Sequence, residues 1–372
     1  MDSSTTPTEA TGLQRHPELY FDDGDIVLKA TNSFEGSQRN YRLFCVHQAV
    51  LSTHSPVFSN LFADASAGTE SMYDGRSLIA MADDAADLAH LLLYLYDPGR
   101  YLLRSFHPDT AVELRGAVKL ADKYLLDKAR SSMIQRVTQD WPTTLDDWDI
   151  NEGTRRAIER TMYDAYRATS SSVKLADRTS EPVSTIVFAQ EHGCTEILPE
   201  AFYSLASIDV RSEWCEDPER RVHMSMFPGA RWALCDKDNL IRYITGRQSL
   251  EALYHRVSRD LSMGVMLHAP CRPPFGVVDV DTDDWPCLRA LRTIRYRVWG
   301  TRPTYDPLSK LLELDEYDKL GIAVMPRGPE TLCRDCRETF GKWVVGRWSG
   351  MKSYKHHVLV AGGVPDVRSI YD

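Results

Sequence analysis

Two thiols two residues apart, in the string Cys333-Arg334-Asp335-Cys336, are the side chains of this sequence best suited to chemistry. From a tight turn such a pair can hold one tetrahedral Zn²⁺, which needs two further protein ligands to close its shell. Upstream, His268 and Cys271 repeat the spacing, and Cys287 follows them. The set predicts a structural zinc clasp on Cys333 and Cys336, completed by two of His268, Cys271 and Cys287. The competing explanation is reduced thiols in a core or on a helix face, because free Cys packs as a small hydrophobe. A redox pair is disfavoured, since no βαβ pattern surrounds it.

Other chemistry is poorly supplied. No G-x-S-x-G elbow, H-E-x-x-H pair, phosphate loop or G-x-G-x-x-G turn occurs. The expectation is therefore no catalytic residue, no small-molecule substrate and no cofactor beyond zinc. Asp279 to Asp284 (DVDTDD) lacks the sixth-position Gly and terminal Glu of a calcium loop, and reads as a solvated acidic loop. Toward the C-terminus, Arg334, Arg337, Lys342, Trp343, Arg347, Trp348, Lys352 and Lys355 interleave basic and aromatic residues. That mixture can bind nucleic acid, but a helix with its Trp face packed on the protein explains it equally, and the acidic balance of the chain favours the helix.

The chain that must position these residues has 372 residues, 44 Lys and Arg against 53 Asp and Glu, and a net charge of −9. A hydrophobic share of 43% excludes a largely unstructured chain, and the acidic balance gives no general attraction to phosphate backbones or anionic lipid. Met1 to Pro17 is polar without an apolar secretory core, and the longest strongly apolar stretch, Leu88 to Tyr96, falls short of a membrane span. No membrane partner is expected, and the chain reads as soluble, in the cytoplasm, the nucleus or both.

Periodicity orders the elements. Asp25 to Ala30 and Arg42 to Val46 read as two strands joined by a long loop. Val50, His54, Val57, Phe58, Leu61 and Phe62 follow helical spacing, broken at Ser55-Pro56, where Ser can cap and Pro can open a second helix. Ser77 to Met81 is a third strand, followed by Asp83 and Asp84 as caps for a helix with Leu88, Leu91, Leu92 and Leu95 on one stripe. Thr110 and Glu113 form a capping box for a helix carrying Ala117, Leu120, Ala121 and Tyr124. Beyond Ser131 the pattern is helical. An acidic connector is expected at Asp140 to Asn151, and helices at Arg155 to Ala168, Pro182 to His192, Pro199 to Ser207, Asn239 to Arg247 and Leu250 to Leu261, with another opening at Asp306-Pro307.

The strings GDIVLKA, RLFCVHQAVLSTHSPVFSNLF, SLIAMADDAADLAHLLLYLY and AVKLADKYLLDKARSSM together resemble a BTB/POZ domain, particularly those of fungal BTB proteins. The resemblance runs from Tyr20 to about Arg136. It implies an α+β fold, a small sheet flanked by helices, that serves protein association. Asp25, His47, Ser55 and Phe58 match the family's signature positions, with structural roles: a buried His with a hydrogen-bond partner, a capping Ser and a core aromatic. Residues 183–206 (VSTIVFAQEHGCTEILPEAFYSLA) resemble the BACK-like helical stretch that follows such domains. The expected organisation is a disordered leader over 1–18, a BTB/POZ domain over 20–136, a BACK-like region over 137–210 and a mostly α-helical remainder over 211–372 that carries the Cys/His clasp.

The resemblance implies association with itself or another BTB protein, with the helical extension presenting a partner surface. A polar leader ending at Pro17 offers no extra strand for a domain-swapped dimer. A narrower form is a substrate adaptor on a cullin-type ubiquitin ligase. There Glu70 matches a cullin-contacting Glu, while Gly68 stands where the family has a hydrophobic residue. Another class is transcriptional regulation through partners. No Cys₂His₂ finger spacing occurs and Gln48 replaces a basic residue after the signature His, so no direct contact with nucleic acid is expected.

Overall fold

Strands arise where β-branched and aliphatic residues cluster between turn formers. The computed structural model describes residues 12–32, 40–65, 71–168, 178–217, 229–272, 285–300, 306–319 and 332–360. Five strands, β1 (Leu13–Tyr20), β2 (Ile26–Thr31), β3 (Tyr41–Val46), β4 (Ser71–Tyr73) and β5 (Arg76–Asp84), form one sheet in the order β1-β3-β2-β5-β4. β2 and β3 pair antiparallel, Ile26 opposite Val46 and Thr31 opposite Tyr41. β2 is largely buried on both faces. Val27 is fully buried with Leu43 and Cys45, because Leu13, Tyr20, Tyr73 and Leu78 cover the second face.

The leader is a correction. Residues 13–18, assigned to a disordered stretch, belong to β1, which runs parallel to β3 with Leu13 beside Tyr41 and Tyr20 beside Cys45. Alternation concealed it, since the apolar residues Leu13, Leu19 and Tyr20 are not spaced by two. The register shifts between Arg15 and Tyr20, where Pro17 lies, and an edge strand tolerates the proline's missing N–H at such a bulge.

Helices α1 (Gln48–His54) and α2 (Pro56–Ala65) meet at Ser55 as predicted. α3 (Ala85–Tyr96) is capped by Asp84, whose carboxylate accepts from the Ala86 amide at 2.8 Å. After the single turn α4 (Gly99–Leu102) come α5 (Thr110–Lys123) and α6 (Asp127–Thr138). The predicted capping box of α5 is not formed: Asp109 holds the cap position without a side-chain bond to the helix start, and Glu113 pairs with Arg104 instead.

The chain divides into two compact units, and the division differs from the predicted boundaries. The first takes the chain through Trp141 and adds a later piece ending at Cys194. That piece carries α8 (Pro182–His192), which packs on α5. Glu181 caps α8 by accepting from the Val183 and Ser184 amides at 3.0 and 2.7 Å, and Gly193 ends it at φ 77°. Residues 137–210 are thus shared between the units.

The second unit is helical: α7 (Leu145–Ala168), α9 (Leu198–Ala206), α10 (Lys237–Met263), α11 (Pro286–Ile294), α12 (Pro307–Lys319) and α13 (Arg334–Val360). α7 begins ten residues before the predicted Arg155, inside the acidic connector. Thr144 caps it by accepting from the Asp147 amide at 3.1 Å, and Asp146 and Asp147 suit the positive end of a helix dipole. The two helices expected at 239–247 and 250–261 are one, α10, capped by Asp236 and closed by Gly264 at φ 66°. Trp299 and Tyr254 stack at 5.5 Å in its core, and the indole N–H donates to the Tyr254 carbonyl at 3.2 Å. Asp306 caps α12 through the Ser309 amide at 3.1 Å, as its Asp-Pro start predicts. α13 packs against α9, α10 and α12. Among the described residues, no helix is long and apolar enough to cross a membrane.

Candidate metal centre and association domain

Four of the five predicted ligands converge, all within the second unit. Cys271 ends the three-residue 3₁₀ turn Ala269–Cys271, Cys287 is the second residue of α11, Cys333 immediately precedes α13, and Cys336 lies in its first turn. Their four sulfurs lie within 4.8 Å of one another. All four are free thiols, and the Cys271 and Cys333 sulfurs stand 3.8 Å apart. That is far longer than a disulfide, but it matches the edge of about 3.8 Å that a tetrahedron with Zn–S bonds near 2.3 Å requires.

Backbone amides point at these sulfurs. The Cys336 N–H donates to Cys333 Sγ at 3.5 Å and the Cys333 N–H to Cys287 Sγ at 3.4 Å. The Cys336 amide lowers the Cys333 thiol below its ordinary value, while burial pushes Cys271 and Cys336 up. Burial that opposes thiolate formation is reversed by a divalent cation, which binds sulfur as thiolate. Four soft sulfurs fill a tetrahedral shell and leave no position for water or substrate, so the arrangement can hold a metal structurally and offers no catalytic opening.

His268 is a correction. Its side chain is exposed and stands outside the cluster, and its carbonyl instead accepts the Cys271 amide at 2.8 Å to close the turn. The chain reversal that brings Cys271 inward turns the residue three positions earlier outward. Cys287 is placed by the start of α11, whose Pro286 is at home in a first helical turn.

In the first unit the signature residues tie elements together. Asp25 Oδ1 accepts the Gln48 amide at 2.8 Å, fixing the entry to α1. The Tyr96 hydroxyl lies 2.9 Å from the His47 amide, which donates to it, and 3.0 Å from His47 Nδ1. Phe21 stacks on Tyr96 at 4.9 Å. His47 has the hydrogen-bond partner expected of it but is half-buried where a buried position was expected, its Nε2 3.3 Å from the exposed Asp23. Ser55 Oγ donates to the Tyr124 carbonyl at 2.6 Å and accepts the Phe58 amide at 3.1 Å, so one hydroxyl caps α2 and anchors the end of α5. Phe58 is fully buried and stacks on Tyr124 at 4.3 Å. The Tyr124 hydroxyl in turn bonds Asp83. Most of these contacts join a sheet-to-helix junction to an element distant in sequence, and none has the form of a nucleophile beside a base.

The stretch with this architecture, residues 25–136, matches the family model described as BTB/POZ domain. Residues 25–136 are a BTB/POZ domain. The fold of the whole is this α+β BTB domain with a small sheet flanked by helices, followed by a mostly helical C-terminal region. Among curated proteins and among solved structures, no significant match is found.

The match begins at Asp25, so β1 lies outside it while completing the BTB sheet at its edge. Sequence reasoning missed Tyr96, Tyr124 and Asp83 as partners of the signature residues. Tyr96 and Tyr124 sit at helix ends, and a Tyr at a helix end beside a buried polar signature residue is the signal that could have found them. Glu70 and the acidic loop Asp279 to Asp284 lie outside the described residues.

Proposed function

We propose that the chain is a protein-association module. Its BTB domain pairs with a second copy or with another BTB protein, and the helical unit, held by a structural Zn²⁺ at the four cysteines, presents a surface to a further partner. The family match over residues 25–136 carries this reading, because BTB domains serve protein association. The N-terminal strand β1 supports it too. It supplies an edge strand near the N-terminus, the kind of element through which such domains associate.

The same proposal places the protein among fungal BTB proteins, on the likeness of its N-terminal strings and of residues 183–206, and in the cytoplasm, nucleus or both. Narrower forms are an adaptor that contacts a cullin through Glu70 and a regulator that acts on transcription through its partners. Affinity purification of the tagged full chain with mass spectrometry tests the reading. Recovery of an untagged copy or of another BTB protein is the expected result, and recovery of neither rejects it. A cullin recovered with the natural chain and lost with Glu70→Arg would select the adaptor form.

A further inference from the structure

We propose that the four-cysteine centre is a clasp whose Zn²⁺ seats α13 in the helical unit, so that the register of this helix is set only in the zinc-loaded chain. The proposal rests on the zinc reading given above and adds what the metal does.

The elements that supply the sulfurs lack the devices that normally hold such elements in place. The 3₁₀ turn Ala269–Cys271 has no buried residue and no side-chain cap. The cap position of α11, Trp285, makes no side-chain bond to the helix start. Cys333 immediately precedes α13, and its sulfur accepts the Cys336 amide in the place where Ser, Asp or Asn oxygen usually stands. Sulfur is a weak acceptor, so these three starts are held poorly as free thiols. Bound to one cation, they become a single cross-link between chain segments far apart in sequence. A metal bound to the folded state and not to the unfolded one stabilises the fold by its binding free energy.

The consequence runs along α13. Cys336, Phe340 and Val344, spaced by four, are its buried stripe, each 1% exposed or less, and the stripe begins at a metal ligand. Seating Cys336 therefore sets the register in which Phe340 and Val344 enter the core. Further on, Arg347 pairs with Asp260 of α10 at 2.7 Å, a largely buried contact that needs the same register. All-thiolate ligation selects zinc over hard cations such as Mg²⁺ or Ca²⁺. The centre is also asymmetric. Cys333 is exposed and Cys271 half-buried, while Cys287 and Cys336 are buried, so metal enters and leaves on the Cys271 and Cys333 side.

The test uses the full chain as purified, first for metal content and optical spectrum, then for amide hydrogen exchange before and after EDTA treatment. The expected result is one zinc per chain and no iron–thiolate colour. After zinc removal, the α11 and α13 amides should exchange roughly tenfold faster or more, as locally opened segments do. β2, β3 and α5 should be unchanged, and protection should return with Zn²⁺ but not Mg²⁺. Alkylation of the metal-free chain should label Cys333 and Cys271 ahead of Cys287 and Cys336. Cys271→Ala, at the solvent side, should lower zinc content, and Cys235→Ser, outside the cluster, should not. Zinc well below one per chain, or an iron–thiolate spectrum, overturns the zinc reading and the clasp with it. Stoichiometric zinc whose removal leaves α13 protection unchanged, or loosens both units equally, overturns the clasp alone.

Discussion

The two units begin their helices differently. In the BTB-containing unit an oxygen stands at most helix starts: Asp25 at α1, Ser55 at α2, Asp84 at α3 and Glu181 at α8. The second unit shares this device at α7, α10 and α12, through Thr144, Asp236 and Asp306. It lacks it at α9, α11 and α13, and the last two starts carry cysteines of the cluster, the Cys333 sulfur accepting the Cys336 amide at α13. Oxygen caps act one helix at a time within a few residues of sequence, whereas sulfur gathered around a cation can join several starts at once. The contrast teaches where each unit is vulnerable: the first to loss of a core side chain or a buried oxygen, the C-terminal part of the second to loss of its metal.

That contrast can be broken most forcefully from the cores. Phe58→Ala removes a fully buried ring stacked on Tyr124 and should cost the first unit ~3–5 kcal/mol. Trp299→Ala should cost the second a similar ~3–5 kcal/mol. Denaturant unfolding followed by hydrogen exchange checks both. The expectation is loss of protection in β2 and β3 for Phe58→Ala and in α10 for Trp299→Ala; the same amides lost in both variants would erase the distinction.

A buried ion pair comes next. Arg136 and Asp140 meet at 2.5 Å with 3% and 6% of their side chains exposed, and Asp140 also accepts from the Phe106 amide and the Ser180 hydroxyl. Arg136→Met leaves that carboxylate buried without its cation and should cost ~3 kcal/mol in chemical denaturation. Ser55→Ala should cost about 1–2 kcal/mol, since it removes the α2 cap and strands the Tyr124 carbonyl. A loss no larger than that of a surface serine would show that oxygen caps do not govern this unit.

The smallest effect sharpens how α8 is held. Arg115, with Lys119, keeps the Glu191 carboxylate down at about 2 against burial, through contacts of 2.7 and 2.9 Å. A carboxylate depressed on folding stabilises above its unfolded value near 4.5, and that contribution fades as pH falls toward 2. Glu191→Gln should therefore cost about 0.5 kcal/mol at pH 7, after solvent screening, and nothing at pH 2. Equal destabilisation at both values would assign the effect to packing.

Much of the BTB core was legible because its signals are local. The Ser55-Pro56 break, the Asp84 cap and the Leu88 to Leu92 stripe each state their role within a few residues. The metal cluster was partly legible for the same reason, since the spacing of Cys333 and Cys336 marks one half of a shell. Choosing between His268 and Cys271 required the turn geometry, which points only one of them inward. β1 was hidden because its pairing partner lies more than twenty residues away and Pro17 interrupts its alternation. The merging of two predicted helices into α10 was hidden because packing around Tyr254 and Trp299, not propensity at 248–249, decides continuity.

The central claim is association, and sedimentation equilibrium of the full chain at micromolar concentration tests it most directly. The account predicts a weight-average mass that climbs with concentration from the 42.3 kDa of one chain toward that of a pair. A mass fixed at 42.3 kDa throughout would contradict it.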